Sequence, residues 1–282
     1  MEEIVRLKQV VTGFTITQQH IDCMCGKDLI KIEKCSGDVI YTKEVFEKEG
    51  FSRNLIADGG KIFIYDFCML YIFSQNNYEL LRKWQLGTDL SSDICGMMVD
   101  KHTIYCSMRN GKIITIDRKS YEIKEFKVAD CSMWSIKAYG DYLVCGTVDG
   151  EVLILNKTAL SVKKKIKLGT QNIRSLYIDH EILYAASQDK KLFKINLVNL
   201  EVDQIKKNVH KRMYECVGLY DDMLVTVSYP GSEIVLWDKE TLEKKKEFQV
   251  PLKLDGRTYI DNDYLYLSSR NILGINRICL KE

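Results

Sequence analysis

The chain has 282 residues, of which 46% are apolar, so a large core can form. Its 41 basic and 39 acidic residues leave a net charge of +2, which argues against bulk binding to nucleic acid or membranes. No apolar run approaches the roughly 20 residues that span a bilayer, and the first ten residues lack the apolar segment of a secretory signal. We therefore expect one domain over residues 1–282, located in the cytoplasm.

Seven segments follow one pattern, in which an apolar strand, a polar turn and a second apolar strand succeed one another. In chain order they are HIDCMCGKDLIKIE, KIFIYDFCMLYIF, TIYCSMRNGKIITID, YLVCGTVDGEVLILN, ILYAASQDKKLFKIN, MLVTVSYPGSEIVLWD and YLYLSSRNILGIN. An aliphatic residue anchors the first strand of each pair and recurs about every 40 residues. These anchors are Ile21, Ile62, Ile104, Leu143, Leu183, Leu224 and Leu265.

A polar residue that closes the second strand of each pair keeps the same period. These residues are Glu33, Ser74, Asp117, Asn156, Asn196, Asp238 and Asn276. A short strand precedes each pair and a charged strand follows it, and four strands in about 40 residues are typical of a propeller blade. The last unit lacks its fourth strand, and the opening EEIVRLKQV matches one. We therefore predict that the N-terminal strand completes the last blade and leaves no open edge.

The repeat resembles a divergent WD repeat over essentially the whole chain. Trp237-Asp238 is the family dipeptide, and Ile116-Asp117 and Leu155-Asn156 stand at the same position in other units. The resemblance implies an all-β, seven-bladed β-propeller of four-stranded antiparallel blades. Only His210 occupies the connection where the family places a histidine, so the family's buried His–Ser–Asp–Trp network is expected to be mostly absent.

Residues with metal-binding or catalytic chemistry are scattered. His20, His102 and His180 fall in equivalent turns of different units, where they cannot converge on one ion. The ten cysteines include no C-x-x-C pair, and Cys106 and Cys145 lie inside apolar strand patterns as small hydrophobic residues. No hydrolase, zinc-protease or phosphate-loop motif is present. We expect no metal, no cofactor and no catalysis.

The lysines cluster in runs on the charged fourth strands, at residues 163–165, 206–207 and 244–246. Lysine on an edge strand blocks pairing between sheets, and acidic neighbours such as Glu243 and Glu247 weaken the local field. We interpret these runs as solvated edges in preference to a polyanion site.

Arginine and large aromatic residues concentrate instead in loops predicted to share one face, the top face. This face combines the blade-to-blade connections with the turns between second and third strands. Arginine, tryptophan and tyrosine are enriched at binding hot spots, and arginine pairs well with carboxylate and phosphate. The expected partner-binding residues are Arg53, Arg109, Trp134, Arg174, Arg212, Tyr214, Tyr229, Arg257 and Arg270.

Three functions follow as hypotheses. The first is a non-catalytic scaffold or adaptor, a monomer or a subunit of a hetero-complex, that binds an acidic or phosphorylated peptide or protein segment on the top face. The second is a nucleic-acid-associated subunit whose arginine face contacts phosphates. The third is a lyase-like or lactonase-like enzyme that uses the central channel on a small molecule, for which no convergent set of groups can be assembled from the sequence.

Overall fold

A computed structural model describes residues 1–47, 54–211, 214–228, 231–254, 257–269 and 271–281. In these ranges the chain forms 28 strands and one short 3-10 helix at Leu90–Ser92. The strands are β1 (Glu2–Arg6), β2 (Val11–Ile16), β3 (His20–Cys25), β4 (Asp28–Glu33), β5 (Val39–Glu44), β6 (Asn54–Asp58), β7 (Lys61–Asp66), β8 (Met69–Ser74), β9 (Leu80–Gln85), β10 (Ile94–Val99), β11 (Thr103–Met108), β12 (Lys112–Asp117), β13 (Ile123–Lys127), β14 (Met133–Tyr139), β15 (Tyr142–Thr147), β16 (Glu151–Asn156), β17 (Val162–Lys167), β18 (Ile173–Asp179), β19 (Ile182–Ser187), β20 (Lys191–Asn196), β21 (Glu201–Lys207), β22 (Tyr214–Tyr220), β23 (Met223–Ser228), β24 (Gly231–Asp238), β25 (Lys244–Leu254), β26 (Thr258–Asp261), β27 (Tyr264–Ser269) and β28 (Ile272–Cys279).

The strands form seven four-stranded antiparallel sheets, which are the blades of a propeller. Blades 1 to 6 take consecutive groups of four strands from β2 to β25, and blade 7 consists of β26, β27, β28 and β1. The first strand of each blade, here called the inner strand, contacts the inner strands of both neighbouring blades, so the ring closes around a central channel. The predicted fold class is therefore confirmed.

Burial differs between the strands of a blade in the way that the sequence predicted. Second and third strands are packed between two blades, and all seven anchoring aliphatic residues are fully buried there. Cys106 and Cys145 are also fully buried, as predicted for small hydrophobic residues. The lysine runs lie on the outer strands β17, β21 and β25, as predicted.

The N-terminal strand closes the ring as predicted. β1 pairs antiparallel with β28, and Glu2 lies opposite Arg277. The Arg277 guanidinium donates to both carboxylate oxygens of Glu2, at 2.7 and 3.0 Å. The edge of β28 is therefore covered by the opposite end of the chain.

The recurring polar residue at the end of the third strand has a specific local role. The Asp117 carboxylate accepts hydrogen bonds from the backbone N–H groups of Lys119 and Ser120, and the Tyr121 N–H donates to the Asp117 carbonyl. These backbone N–H groups hold the pKa of Asp117 below its usual value. Asn156, Asn196 and Asp238 accept the same pair of backbone bonds. A short side chain with an acceptor oxygen suits such a turn.

In blade 7 the predicted landmark is wrong by three residues. Asn276 lies inside β28, opposite Leu267, and Cys279 occupies the position that the polar residue holds elsewhere, opposite Tyr264. The third strand of this blade ends at Cys279, and because no outer strand follows it in sequence, no tight polar turn is needed there.

Ion pairs of one repeating kind connect neighbouring blades at the end of the channel opposite the top face. An aspartate at the end of an inner strand binds the cation that directly follows the third strand of the next blade. The pairs are Asp58–Arg118 at 2.6 Å, Asp100–Lys157 at 2.6 Å, Asp179–Lys239 at 3.4 Å and Asp261–Lys34 at 2.8 Å. At two other junctions both positions are large and apolar, Tyr139 with Leu197 and Tyr220 with Leu280.

Blade 6 retains a version of the buried network that the resemblance implies. The indole N–H of Trp237 donates to the Thr226 hydroxyl at 2.8 Å, and the same hydroxyl lies 2.8 Å from Nε2 of His210. Nδ1 of His210 lies 3.1 Å from the Glu233 carboxylate. All groups are satisfied if Nδ1 carries the proton and the Thr226 hydroxyl donates to Nε2. Threonine and glutamate thus replace the serine and aspartate of the family pattern.

Candidate functional site

The two loop sets of the predicted top face meet at blade 3. Arg109 lies in the turn between β11 and β12, and its backbone N–H donates to the carbonyl of Asp93, which precedes the inner strand β10. The Ser132 hydroxyl, in the connection from blade 3 to blade 4, donates to the Arg109 carbonyl at 2.8 Å. The turn is therefore held between two blade-to-blade connections.

Near the top face, β-bulges occur at equivalent positions in four inner strands. The pairing registers of β2, β10, β14 and β18 with their second strands skip one residue each. A bulge redirects the side chain of the extra residue and is common beside functional sites. The bulged residues are Thr12, Cys95, Trp134 and Arg174.

Trp134 lies between two guanidinium groups. The Cζ atoms of Arg109 and Arg174 are each 6.0 Å from the centre of the indole ring, within the range of a cation–π contact. Nη2 of Arg109 binds the buried Asp93 carboxylate at 3.1 Å, and Nε of Arg174 binds Glu215 at 3.4 Å. We call these five residues the Trp134 cluster. A carboxylate therefore holds each of the two arginines in place.

A cavity of about 230 Å³ opens beside the Trp134 cluster into the central channel. Its wall includes Trp134, Arg174 and Glu215, together with Arg257 at the start of blade 7. It also includes Lys137, three residues further along β14. The surrounding protein lowers the pKa of Lys137 by desolvation, although its side chain still reaches the water of the channel.

The structure brings together four of the residues that the sequence suggested for the site. Trp134, Arg174 and Arg257 line one cavity, and Arg109 contacts the ring of Trp134. Arg53, Arg212, Tyr229 and Arg270 lie outside the described residues. Whether any of these side chains contacts a partner stays a prediction.

Tyr214 is the member of the predicted set whose placement differs from expectation. It is the first residue of β22, its side chain is 1% exposed, and it packs in the core between blades 5 and 6. Its ring lies against His210, with the ring centres 5.2 Å apart. It therefore supports the network of blade 6 and has no surface to offer a partner.

Two residues of this region were missed by the sequence reasoning. Glu215 follows Tyr214 and holds Arg174, and Lys137 lies within the channel. The available signal was that both are charged residues within inner strands, where most positions are apolar or small. That signal alone does not reveal which side chains meet.

A second cavity, of about 520 Å³, lies between blades 5 and 6. Its rim carries Lys190, Lys206, Lys211 and Lys244. Two of these lysines are engaged by acids of the same rim, Lys211 by Glu233 at 3.7 Å and Lys244 by Glu247 at 2.7 Å. Its floor is formed by the His210–Trp237 network described above, so its buried groups already have a structural role.

Other chemistry is sparse in the described part of the chain. There, no group of three or more histidine, cysteine, aspartate or glutamate side chains could hold a metal ion. The ten cysteines are free thiols, and six of them are buried. No helix among the described residues is long and apolar enough to cross a membrane.

Comparison with known proteins places the chain in a family. No curated protein matches its sequence at a significant level. Among solved structures, the fold is similar to that of the computationally designed protein Ika8, with a TM-score of 0.76, 10% identity, and coverage of 99% of this chain and 100% of that chain. The sequence profile of the WD40 repeated domain matches residues 66–255, about two thirds of the length. Together with the seven blades, this match shows that the chain belongs to the WD40 repeated-domain family.

Proposed function

We propose that the chain, as a single propeller domain over residues 1–282, is a non-catalytic scaffold or adaptor that binds a peptide or protein segment across its top face. WD40 propellers commonly act as protein-interaction scaffolds and are generally non-catalytic. Free thiols in large number suit a reducing compartment, which supports a cytoplasmic location. The protein would act alone or as a subunit of a hetero-complex.

The arrangement of Trp134 between Arg109 and Arg174 is the observation that carries the proposal. Tryptophan and arginine are enriched at binding hot spots. Tryptophan offers a large, rigid contact area at a small cost in side-chain entropy, and the planar guanidinium of arginine offers several hydrogen-bond donors. Asp93 and Glu215 hold the guanidinium groups before a ligand arrives, and such preorganisation favours binding.

An acidic or phosphorylated segment is the ligand that fits this site best. Arginine donors match carboxylate and phosphate in geometry and charge. Asp93 and Glu215 balance Arg109 and Arg174, and the cavity beside them adds the cations of Arg257 and Lys137. Among the described residues, cations therefore outnumber carboxylates around the Trp134 cluster and its cavity.

The test measures binding of labelled acidic and phosphorylated peptides to the protein and to a Trp134→Ala/Arg174→Gln variant. Loss of the hot-spot contacts should weaken binding by about tenfold or more, whereas Lys164→Gln, which removes a cation from an outer strand of the same blade, should leave binding unchanged. Equal peptide binding by all three proteins would contradict the proposed face.

A labelled single-stranded oligonucleotide, titrated at several salt concentrations, tests the nucleic-acid alternative in parallel. If the oligonucleotide binds with steep salt dependence while the peptides do not bind, the arginine face serves phosphates of nucleic acid and the scaffold proposal is wrong.

A further inference from the structure

No acidic residue occupies the position equivalent to Lys137 in the other inner strands. In blade 4, Lys137 of β14 lies opposite Val144 of β15. The pairing of each other inner strand with the second strand of its blade gives the equivalent residue. None of these residues is acidic. They are Thr15, Ile56, Met98, Tyr177, Gly218 and Tyr259.

The Lys137 ammonium has no counter-ion within the described residues. Glu215 is the one carboxylate among the described residues that line the cavity, and it binds Arg174. The aspartates at the far end of the inner strands are engaged by cations of neighbouring blades, such as Asp100 by Lys157 and Asp179 by Lys239. Desolvation by the channel wall lowers the pKa of Lys137, while its side chain stays exposed to the channel.

Among the described residues, the wall of the cavity carries more cations than carboxylates. Lys137, Arg174 and Arg257 contribute three cations to its wall and Glu215 contributes one anion. The Lys137 side chain is exposed to the channel and has no counter-ion among the described residues, so an anion that enters the cavity would supply one. The volume of about 230 Å³ is below the roughly 300 Å³ of small drug-binding pockets, so the space suits one compact charged group.

We propose that the central channel binds a compact oxyanion, a carboxylate or a phosphate, with Lys137 as its partner inside the channel and Arg174 and Arg257 at the mouth. This inference goes beyond the proposed function, because it can hold even if no peptide binds the top face. The oxyanion can come from a free small molecule or from an acidic or phosphorylated side chain inserted by a bound segment.

The experiment follows the reactivity of individual lysines toward limiting reductive methylation, read by peptide mass spectrometry. Inorganic phosphate, succinate, and one acidic and one phosphorylated peptide are compared with chloride at equal ionic strength. A bound oxyanion should slow the labelling of Lys137 several-fold, because it blocks the amine and stabilises its protonated form. Lys164 on the outer strand β17 of the same blade is the internal control and should react at a constant rate.

Protection by phosphate or succinate would identify a free anion as the ligand, and protection by a peptide alone would identify an inserted side chain. If none of the four ligands protects Lys137, the proposal is wrong. Peptide binding that depends on Trp134 without protection of Lys137 would leave the proposed function intact and overturn this inference alone.

A pair of variants provides the second measurement. In calorimetric titration with the anion that protects best, Lys137→Met should lose binding by tenfold or more, while Lys164→Met should bind like the unmodified protein. Retention of binding by folded Lys137→Met, with folding checked by circular dichroism, would exclude Lys137 as the partner.

Discussion

The hydroxyl of Thr226 serves two buried rings at once. It accepts a hydrogen bond from Trp237 and lies 2.8 Å from Nε2 of His210, whose other ring nitrogen lies 3.1 Å from Glu233. Each of these ring nitrogens would lose its partner inside the protein if the hydroxyl were absent, and unsatisfied buried polar groups are costly. The Thr226 hydroxyl is therefore the shared hydrogen-bond partner of two buried rings at the junction between blades 5 and 6.

We expect Thr226→Val to lower the free energy of unfolding by about 2–4 kcal/mol, because it leaves the Trp237 N–H and the His210 Nε2 without partners. Urea-induced unfolding followed by tryptophan fluorescence measures the change. Thr12→Val is the matched control, since the buried Thr12 hydroxyl has no hydrogen-bond partner among the described residues. The same exchange there should change stability by less than about 0.5 kcal/mol. Equal losses in both variants would contradict the role assigned to the network.

The stability of the protein should also depend on the protonation of His210. Burial lowers the pKa of His210 in the folded protein, while Glu233 and Glu247 oppose this shift and Lys244 adds to it. In the unfolded chain histidine titrates near about 6.5, so below that pH the unfolded chain binds a proton that the folded protein does not. The free energy of unfolding should therefore fall as the pH drops from about 6.5 toward the lowered pKa.

Melting temperatures recorded between about pH 8 and pH 5 test this expectation. His210→Gln should be less stable but should lose this part of the pH dependence. His102→Gln removes an exposed turn histidine and should keep the dependence of the unmodified protein. An unchanged pH profile in His210→Gln would assign the effect to other groups.

For single residues, the sequence predicted the chemical role of a side chain better than the direction in which that side chain points. His102 and His180 lie in turns and Cys106 and Cys145 lie in the core, as predicted, whereas His20 is the first residue of β3. Tyr214 was expected on the surface because it follows a loop, yet it begins a strand and points into the core. The bulge that redirects Trp134 and Arg174 has no clear local sequence pattern, because it depends on how β14 and β18 pair with their neighbours.

The junction between adjacent blades is the element that varies most around the ring. Four junctions use an aspartate with a lysine or arginine, and two use a pair of large apolar residues at the same positions. The blade 1–2 junction uses the buried Asp22, which accepts hydrogen bonds from Gln75 and Tyr78. Several side-chain chemistries therefore satisfy one backbone geometry.

We expect Asp100→Ala and Lys157→Met to differ in cost although they break the same ion pair. The Asp100 carboxylate also accepts hydrogen bonds from the backbone N–H groups of His102 and Thr103, so its loss should cost about 2 kcal/mol. Lys157→Met keeps the aliphatic stem and should cost about 1 kcal/mol or less. Thermal unfolding of both variants gives the comparison. A larger loss in Lys157→Met would show that the ion pair outweighs the turn.

The repeat length, the anchors and the polar turns were enough to predict every blade, because each is a local pattern that recurs. The failure at Asn276 is equally instructive. The spacing from Asp238 to Asn276 is shorter than the other intervals, and Cys279 restores the period. Cysteine is not a typical turn residue, so the search for a polar residue selected Asn276. The repeat period alone would have selected Cys279.

Ring closure is the property of the whole molecule that depends on both ends of the chain. Among the described residues, β1 alone covers the outer edge of β28, and the bidentate Arg277–Glu2 pair lies at this edge. An uncovered strand edge offers unpaired backbone groups to another molecule. Blade 7 should therefore be the most sensitive part of the ring.

Deletion of residues 2–6 should expose β28 and promote association between molecules, measured by light scattering coupled to size exclusion. Hydrogen exchange should accelerate in β27 and β28 before it does so in blades 3 to 5. Glu2→Ala removes the ion pair but keeps the strand, and it should retain the size and exchange pattern of the unmodified protein. Uniform acceleration of exchange in all blades of the deletion variant would indicate that the ring unfolds as one unit.

The pairing of β1 with β28 also affects the order in which the blades can form during synthesis. During synthesis β1 leaves the ribosome before the other described strands, and its partner β28 follows only after the strands of blades 1 to 6 have been made. Blades 1 to 6 are local in sequence and can form one after another, while β1 must wait as an unpaired strand. Its sequence EEIVR places three charges among five residues, which disfavours premature pairing with other chains. The strand that completes the ring is thus made before the strands that it joins, and its charges disfavour other pairings until β28 has been made.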